Sequence, residues 1–184
     1  MLSPEARTRL LEIAHESVRA AAHDRSYEVE LGREPAELHA LGATFTTLRS
    51  ADGALRGCTG VVEAHRPLAQ DVASTARGAA IHDPRFARLQ PAELEGLDVS
   101  VSVLTPMQAL DVRSEDELLA VVRPGIDGVM LSDGARRGLF LPSVWESLPD
   151  PHEFLAQLER KARLNGWSPT TRAHVFQVEK ISPS

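Results

Sequence analysis

Apolar residues recur with helical spacing near the start of the chain, at Leu10, Ile13, Ala14, Val18 and Ala21. Ser3 and Pro4 precede them, a cap and a first-turn residue, so the pattern predicts a helix that ends near Ala22. The polar stretch from His23 to Gly42, broken by Gly32 and Pro35, reads as a long loop with at most a short turn near Glu37–Leu41. Thr- and Phe-rich Ala43–Arg49, the turn signal Asp52-Gly53 and the return through Val62 predict a β-hairpin. Pro67 opens a helix with Leu68, Val72, Ala76 and Ala79 on one face. His82-Asp83-Pro84 stops it, because the residue before a proline avoids helical geometry.

Val99-Ser100-Val101-Ser102-Val103 alternates strictly, so its valines face a core and its serines face elsewhere. Ser114 and Glu117 form a capping-box pattern for a short helix through Val122. Segments 128–131 and 138–141 flank Asp133-Gly134 and predict a second hairpin with a loop of several residues. Asp150, Pro151 and Glu153 start a helix that buries Phe154, Leu158 and Ala162 and that Asn165-Gly166 closes. Ala173–Ile181 reads as a final strand. Hairpin-linked strands with helices between them predict an α+β fold, a mainly antiparallel sheet with helices packed on it. No linker or repeat divides residues 1–184, so a single domain is expected.

At 184 residues the chain can bury a core without disulfide or metal staples. Aromatics make up only 4% of it, so that core rests on Leu, Val and Ala. The net charge of −6 argues against a broad nucleic-acid or anionic-lipid footprint. A single cysteine, Cys58, excludes an internal disulfide and a multi-cysteine zinc site. No basic segment followed by an apolar run marks the N-terminus, and no apolar stretch reaches the ~18 residues of a membrane span, so the cytoplasm is the expected location.

Several chemistries are absent by motif. His152-Glu153 is followed by Ala156, and His15-Glu16 by Arg19, where a metalloprotease helix needs its second histidine. The seven histidines are dispersed, so no metal site is expected, and no cofactor is expected in the isolated chain. There is no phosphate-cradling loop, dinucleotide fingerprint or nucleophile-elbow serine.

The most unusual stretch is Arg56-Gly57-Cys58-Thr59-Gly60. Glycine inside a strand is costly and often marks a bulge or the close approach of another group, here read as a ligand. Strand alternation sets Arg56 and Cys58 on one face if no bulge intervenes, and a guanidinium beside a thiol favours the thiolate. A lone cysteine is more often a small buried hydrophobe.

Leu55-Arg56-Gly57-Cys58-Thr59-Gly60 resembles the leucine-arginine-glycine-cysteine-isoleucine-glycine signature of the AMMECR-type domain family. Thr59 departs from the usual isoleucine but keeps its β-branch. Asp71-Val72-Ala73, Asp83-Pro84-Arg85-Phe86, the alternating valine strand, Pro124–Val129, Gly138–Trp145 and Lys161-Ala162 follow in the family's order, so the resemblance covers about residues 43–167. It implies an α+β fold with a larger sheet-bearing part and a smaller helical part. It also implies association with Memo-like and radical-SAM proteins, as in the protein A component of the AmmeMemoRadiSam arrangement, without naming a reaction.

Two functional readings stay open. In the first, the chain is an enzyme component: Cys58 is the candidate catalytic thiol, and Arg56, Gly57, Thr59, Gly60, Asp83 and Arg85 are candidate substrate-binding residues around it. His65 and His82 serve as bases only if the fold brings them to the thiol. In the second, the chain is a non-catalytic adaptor that presents the cysteine groove or the Trp145 region to a protein or small ligand.

Overall fold

The structure, a computed structural model, describes residues 2–183. Contacts divide the chain into two compact units, Met1–Leu104 with Glu179–Ser184, and Thr105–Val178. Each unit has its own hydrophobic cluster, and that is why two units form where the sequence marks no linker.

The first unit opens with helix α1, Pro4–Ala22, whose Ser3 hydroxyl accepts the Ala6 N–H at 3.2 Å. Strands β1, Leu41–Arg49, and β2, Leu55–Gly60, form the hairpin. A two-residue strand β3, Arg66–Pro67, leads into helix α2, Leu68–Ile81. Strand β4, Asp98–Leu104, and the returning strand β9, Val178–Ile181, complete a sheet ordered β2-β1-β4-β9, with β3 paired to β1. Leu10, Ile13, Val72, Ala76, Leu48, Val99 and Val101 share one core. Val99 and Val101 are fully buried, and Val103 packs at the edge of the same cluster, as strict alternation requires.

The second unit holds strand β5, Gln108–Leu110, helix α3, Glu115–Val121, strands β6, Gly128–Asp133, and β7, Arg136–Phe140, helix α4, Pro151–Ala162, and strand β8, Arg172–Phe176. Its four strands pair in the order β5-β8-β6-β7, every pair antiparallel. The protein is therefore α+β, with its antiparallel strands divided into two sheets. Trp145 and Phe154 stack with ring centroids 3.6 Å apart, and the Trp145 indole donates to the Asp127 carbonyl at 2.8 Å. The few aromatics of the chain are concentrated in this core, which has the shorter helices to close it.

Three expectations need correction. The second hairpin does not have a loop of several residues: Asp133 pairs with Arg136, and Gly134 at φ +58° makes the tight turn. Helix α4 stops before Asn165-Gly166, because Arg163 itself adopts the left-handed conformation at φ 59°. The final strand is broken at Gln177, where β8 in one sheet hands over to β9 in the other. Gln177 is held there by Thr105, whose N–H donates to the Gln177 carbonyl at 2.9 Å and whose hydroxyl accepts the Gln177 N–H at 2.8 Å. Among the described residues no helix is long and apolar enough to cross a membrane.

Between β1 and α2 lies a polar cluster that periodicity does not reveal. Asp71, fully buried, accepts the Thr44 hydroxyl at 2.7 Å, and Thr75 bonds Thr44 and Thr46 at 3.0 and 2.9 Å. Asp71 Oδ1 has no hydrogen-bond partner, and its nearest charge is Arg66 Nε at 3.5 Å. Burial raises the Asp71 carboxyl above the ordinary carboxylate range, against the opposing pull of Thr44 and Arg66. Because the folded state holds this proton more tightly than the unfolded chain, the stability it contributes is full below the ordinary range. It is lost as pH rises through the raised value. Asp71→Asn keeps an acceptor for Thr44 and removes the charge. It should raise stability by on the order of 1 kcal/mol near pH 8 and by less near pH 5. Urea midpoints of both proteins at the two pH values check this; a difference that shrinks with rising pH would contradict it.

Candidate functional site

The signature strand β2 is an edge strand held against β1 in a register that pairs Thr47 with Cys58 and Thr46 with Thr59. The register slips at Leu48/Arg49: Arg49 faces Leu55 while Leu48 faces Gly57. Arg56 is thus the extra residue of a bulge, and the condition for setting it beside the thiol is not met. Its guanidinium goes to Glu93 instead, in a two-pronged ion pair with Nε at 2.6 Å and Nη2 at 3.0 Å.

The two glycines answer to packing. A Cβ on Gly57 would lie 2.2 Å from the Ala79 carbonyl oxygen of α2, and a Cβ on Gly60 would lie 2.2 Å from the Phe45 ring. Thr59 fits the same pattern from the other side, since a Cβ on Gly78 of α2 would meet its methyl at 2.8 Å. Gly57, Thr59 and Gly78 therefore let helix and strand approach closely, and Gly60 makes room for the Phe45 ring of the neighbouring strand, so packing and not ligand access accounts for both glycines.

Alternation then fixes the direction of the thiol. Thr46 and Thr59 point to α2, so Cys58 and its partner Thr47 lie on the opposite face of the sheet, with Ser100 across from Thr47 on β4. Cys58 is half-buried, and its Sγ lies 3.5 Å from the Thr47 hydroxyl. The serines of β4 lie on this face, away from the valine core.

The Asp83–Phe86 loop reaches the same strand by its backbone. Because β2 is an edge, the Cys58 N–H has no strand to pair with, and Asp83 Oδ2 accepts it at 2.8 Å. Arg85 grips the same carboxylate with Nε at 3.0 Å and Nη2 at 2.7 Å, and its backbone N–H adds a third contact at 3.1 Å. Asp83 is 6% exposed, whereas the Arg85 side chain is 56% exposed. The Arg85 hydrogen bonds, ahead of the Cys58 and Arg85 backbone donors, hold the Asp83 carboxyl well below the usual carboxylate range despite its burial. Asp83 in turn raises the Arg85 guanidinium, with a smaller contribution from Cys58. Phe86 lies between the two arginines, its ring centroid 5.9 Å from the Arg56 guanidinium carbon and 5.5 Å from that of Arg85.

His65 and His82 are both exposed; His65 faces Glu63 at 3.5 Å. Trp145 is 4% exposed and built into the second core, so it offers no docking anchor. Among the described residues no group of three or more His, Cys, Asp and Glu is placed to hold a metal ion. Two residues at the site were not read from sequence. Thr47 follows from counting the hairpin register back from Asp52-Gly53, but only once the bulge is known. Glu93 sits in a short 3-10 turn, Pro91–Glu93, where its carboxylate also accepts the Gln90 N–H, a local capping pattern that carries no sign of the distant Arg56.

This geometry can be set beside known proteins. The AMMECR1 family model matches residues 11–181. A protein of the archaeon Methanothermobacter thermautotrophicus is 40% identical over 143 residues, 73% of this chain and 72% of its own length. One from Nanoarchaeum equitans is 36% identical over 172 residues, 91% of this chain and 95% of its own. The crystal structure of an uncharacterised protein from Pyrococcus horikoshii superposes with a TM-score of 0.82 at 28% identity, covering 97% of this chain and 92% of that one. The match spans both units and the whole signature hairpin, and the chain belongs to the AMMECR1 family.

Proposed function

We propose that this chain is a component of an enzyme system formed with Memo-like and radical-SAM proteins. Its contribution is a ligand-facing surface centred on Cys58, with Asp83 as the buried charge and its ion-pair partner Arg85 as the exposed one. One observation carries the reading: a buried carboxylate, Asp83, fixes the backbone of Cys58 and an exposed arginine at the same time. A carboxylate shared in this way preorganises a cation beside a thiol at little cost when a ligand arrives. Arg85 Nη1 takes no part in the Asp83 contacts and is free to hold an anionic group. Cys58 is the group available for nucleophilic or thiolate chemistry there. Arg56, Gly57, Thr59 and Gly60 shape the strand that presents it.

The adaptor reading has its own support in the half-buried Phe86 flanked by two guanidinia, a pairing of residue types that protein interfaces favour. One experiment separates the two. The chain is co-purified with Memo-like and radical-SAM partners, and products are compared for wild type, Cys58→Ser and Arg85→Ala. The enzyme-component reading expects both variants to stay in the assembly while product formation falls. Loss of Arg85→Ala from the assembly with Cys58→Ser fully active supports the adaptor. No association with either partner overturns the system altogether.

A further inference from the structure

The second unit has a cavity where two loops leave the same end of its sheet. Leu110 at the end of β5 pairs with Ala173 near the start of β8, so the chain leaving β5 and the chain entering β8 diverge side by side. Between them is a cavity of about 820 Å³. This lies within the roughly 300–1,000 Å³ of small-molecule sites.

Both walls are held rigid by their own hydrogen bonds. On one side, the Asp133 carboxylate accepts the hydroxyls of Ser168 at 2.9 Å and Thr170 at 2.7 Å, and Thr171 Oγ1 accepts the Ser168 N–H at 2.9 Å. On the other, Glu117 accepts the Arg113 N–H at 2.8 Å and the Ser114 hydroxyl accepts the Glu117 N–H at 3.2 Å. These bonds fix the loops by their backbones and hydroxyls. The Arg113 guanidinium has no ion-pair or hydrogen-bond partner among the described residues. Arg172 uses only Nη1, on the carbonyls of Pro169 at 3.2 Å and Thr171 at 3.0 Å, which turns its fork without occupying Nη2.

The lining therefore has one arginine on each wall, against the single carboxylate of Asp111. Asp133, engaged by Ser168 and Thr170 behind one wall, also acts on Arg172, so Arg113 is the less compensated of the two cations. Trp167, half-buried, adds an aromatic wall, and Leu110, Val112 and Pro169 supply the remaining apolar surface. Two guanidinia recognise a carboxylate or phosphate, and an indole face takes a flat ring. The other described cavity, about 590 Å³ along the outer face of α1, carries Arg7 and Arg19 against Glu12 and Glu16, so it selects no charge. We infer that the β5–β8 cavity binds a small aromatic anion, a flat ring bearing a carboxylate or phosphate, with the ring on Trp167 and the anion between Arg113 and Arg172.

The two tryptophans make the test specific. Their indole N–H resonances are followed by NMR in the full chain, assigned with Trp167→Phe, while phenyl phosphate, benzoate, inorganic phosphate or phenol is added. Expected is a saturable shift of the Trp167 resonance with one or both aryl anions, at a dissociation constant of about 1 mM, with Trp145 unmoved. Phenyl phosphate alone acting identifies the phosphate class, and benzoate alone the carboxylate class. Arg113→Gln, an exposed change that removes no side-chain contact, should weaken binding roughly tenfold, and adding Arg172→Gln should abolish it. No saturable shift with either aryl anion overturns the inference, as does full affinity in Arg113→Gln. Equal binding of phenol removes the anion from it, and equal binding of inorganic phosphate removes the ring.

Discussion

Gly57→Val is expected to destabilise the protein by about 4 kcal/mol, above the usual cost of overpacking. The reason is what the new atoms meet. A Cβ at residue 57 would sit 2.2 Å from the Ala79 carbonyl oxygen and 3.1 Å from its carbon. Both are backbone atoms of α2, so no side-chain rotation relieves the clash, and helix and sheet must separate. Ala79 and Ala80 near this contact are 2% exposed, so separation also opens the first core. Gly32→Ala is the matched control, since a Cβ there meets nothing within 4 Å, and it should change stability by less than about 0.5 kcal/mol. Urea unfolding of the three proteins decides the matter. A Gly57→Val midpoint equal to wild type would show that the signature glycine is not required by packing.

Val101→Asp should leave no cooperatively folded first unit. Val101 is fully buried, opposite Thr46 and under the helices. A carboxylate placed there has no partner, at a cost on the order of 5 kcal/mol, comparable with the whole stability of many domains. Ser102→Asp, one residue along on the opposite face and only partly buried, should be far milder. Far-UV circular dichroism through a thermal scan reads both. A sharp transition in Val101→Asp near that of wild type would contradict the placement of this strand.

These two substitutions also mark what the sequence made legible. Val99, Val101 and Val103 alternate in a period that only a half-buried strand satisfies, so the strand and its core face could be read directly. Ser3, Ser114 and Asp150 were readable as helix caps because capping is local: each accepts a backbone N–H three residues on. Gly57 could be singled out but not understood. Its clash partner, Ala79, lies 22 positions away, and nothing local tells a glycine kept for a ligand from one kept for a helix. The same distance hid Glu93 from Arg56 and left the Asp71–Thr44–Thr75 cluster unread, because polar pairs between elements leave no period. The break at Gln177 was missed because strand propensity runs through it, and only the pairing partners of β8 and β9 change. Asp83–Phe86 stood out as a polar loop after a helix, but its link to Cys58 is a backbone N–H, which no pattern of side chains encodes.

The central claim is that Cys58 and Arg85 present one accessible surface organised by Asp83. Charge-matched alkylation tests it most directly, because Cys58 is the chain's single cysteine and every adduct reports on it. Iodoacetate and iodoacetamide share one chemistry and differ by one negative charge. In the native protein both should alkylate Cys58, and Arg85→Ala should slow iodoacetate several-fold more than iodoacetamide, because it removes the cation and leaves the Asp83 carboxylate uncompensated. Raising the salt concentration should shrink the difference between the reagents. Alkylation of Cys58 only after denaturation, or an unchanged rate ratio in Arg85→Ala, would contradict the claim.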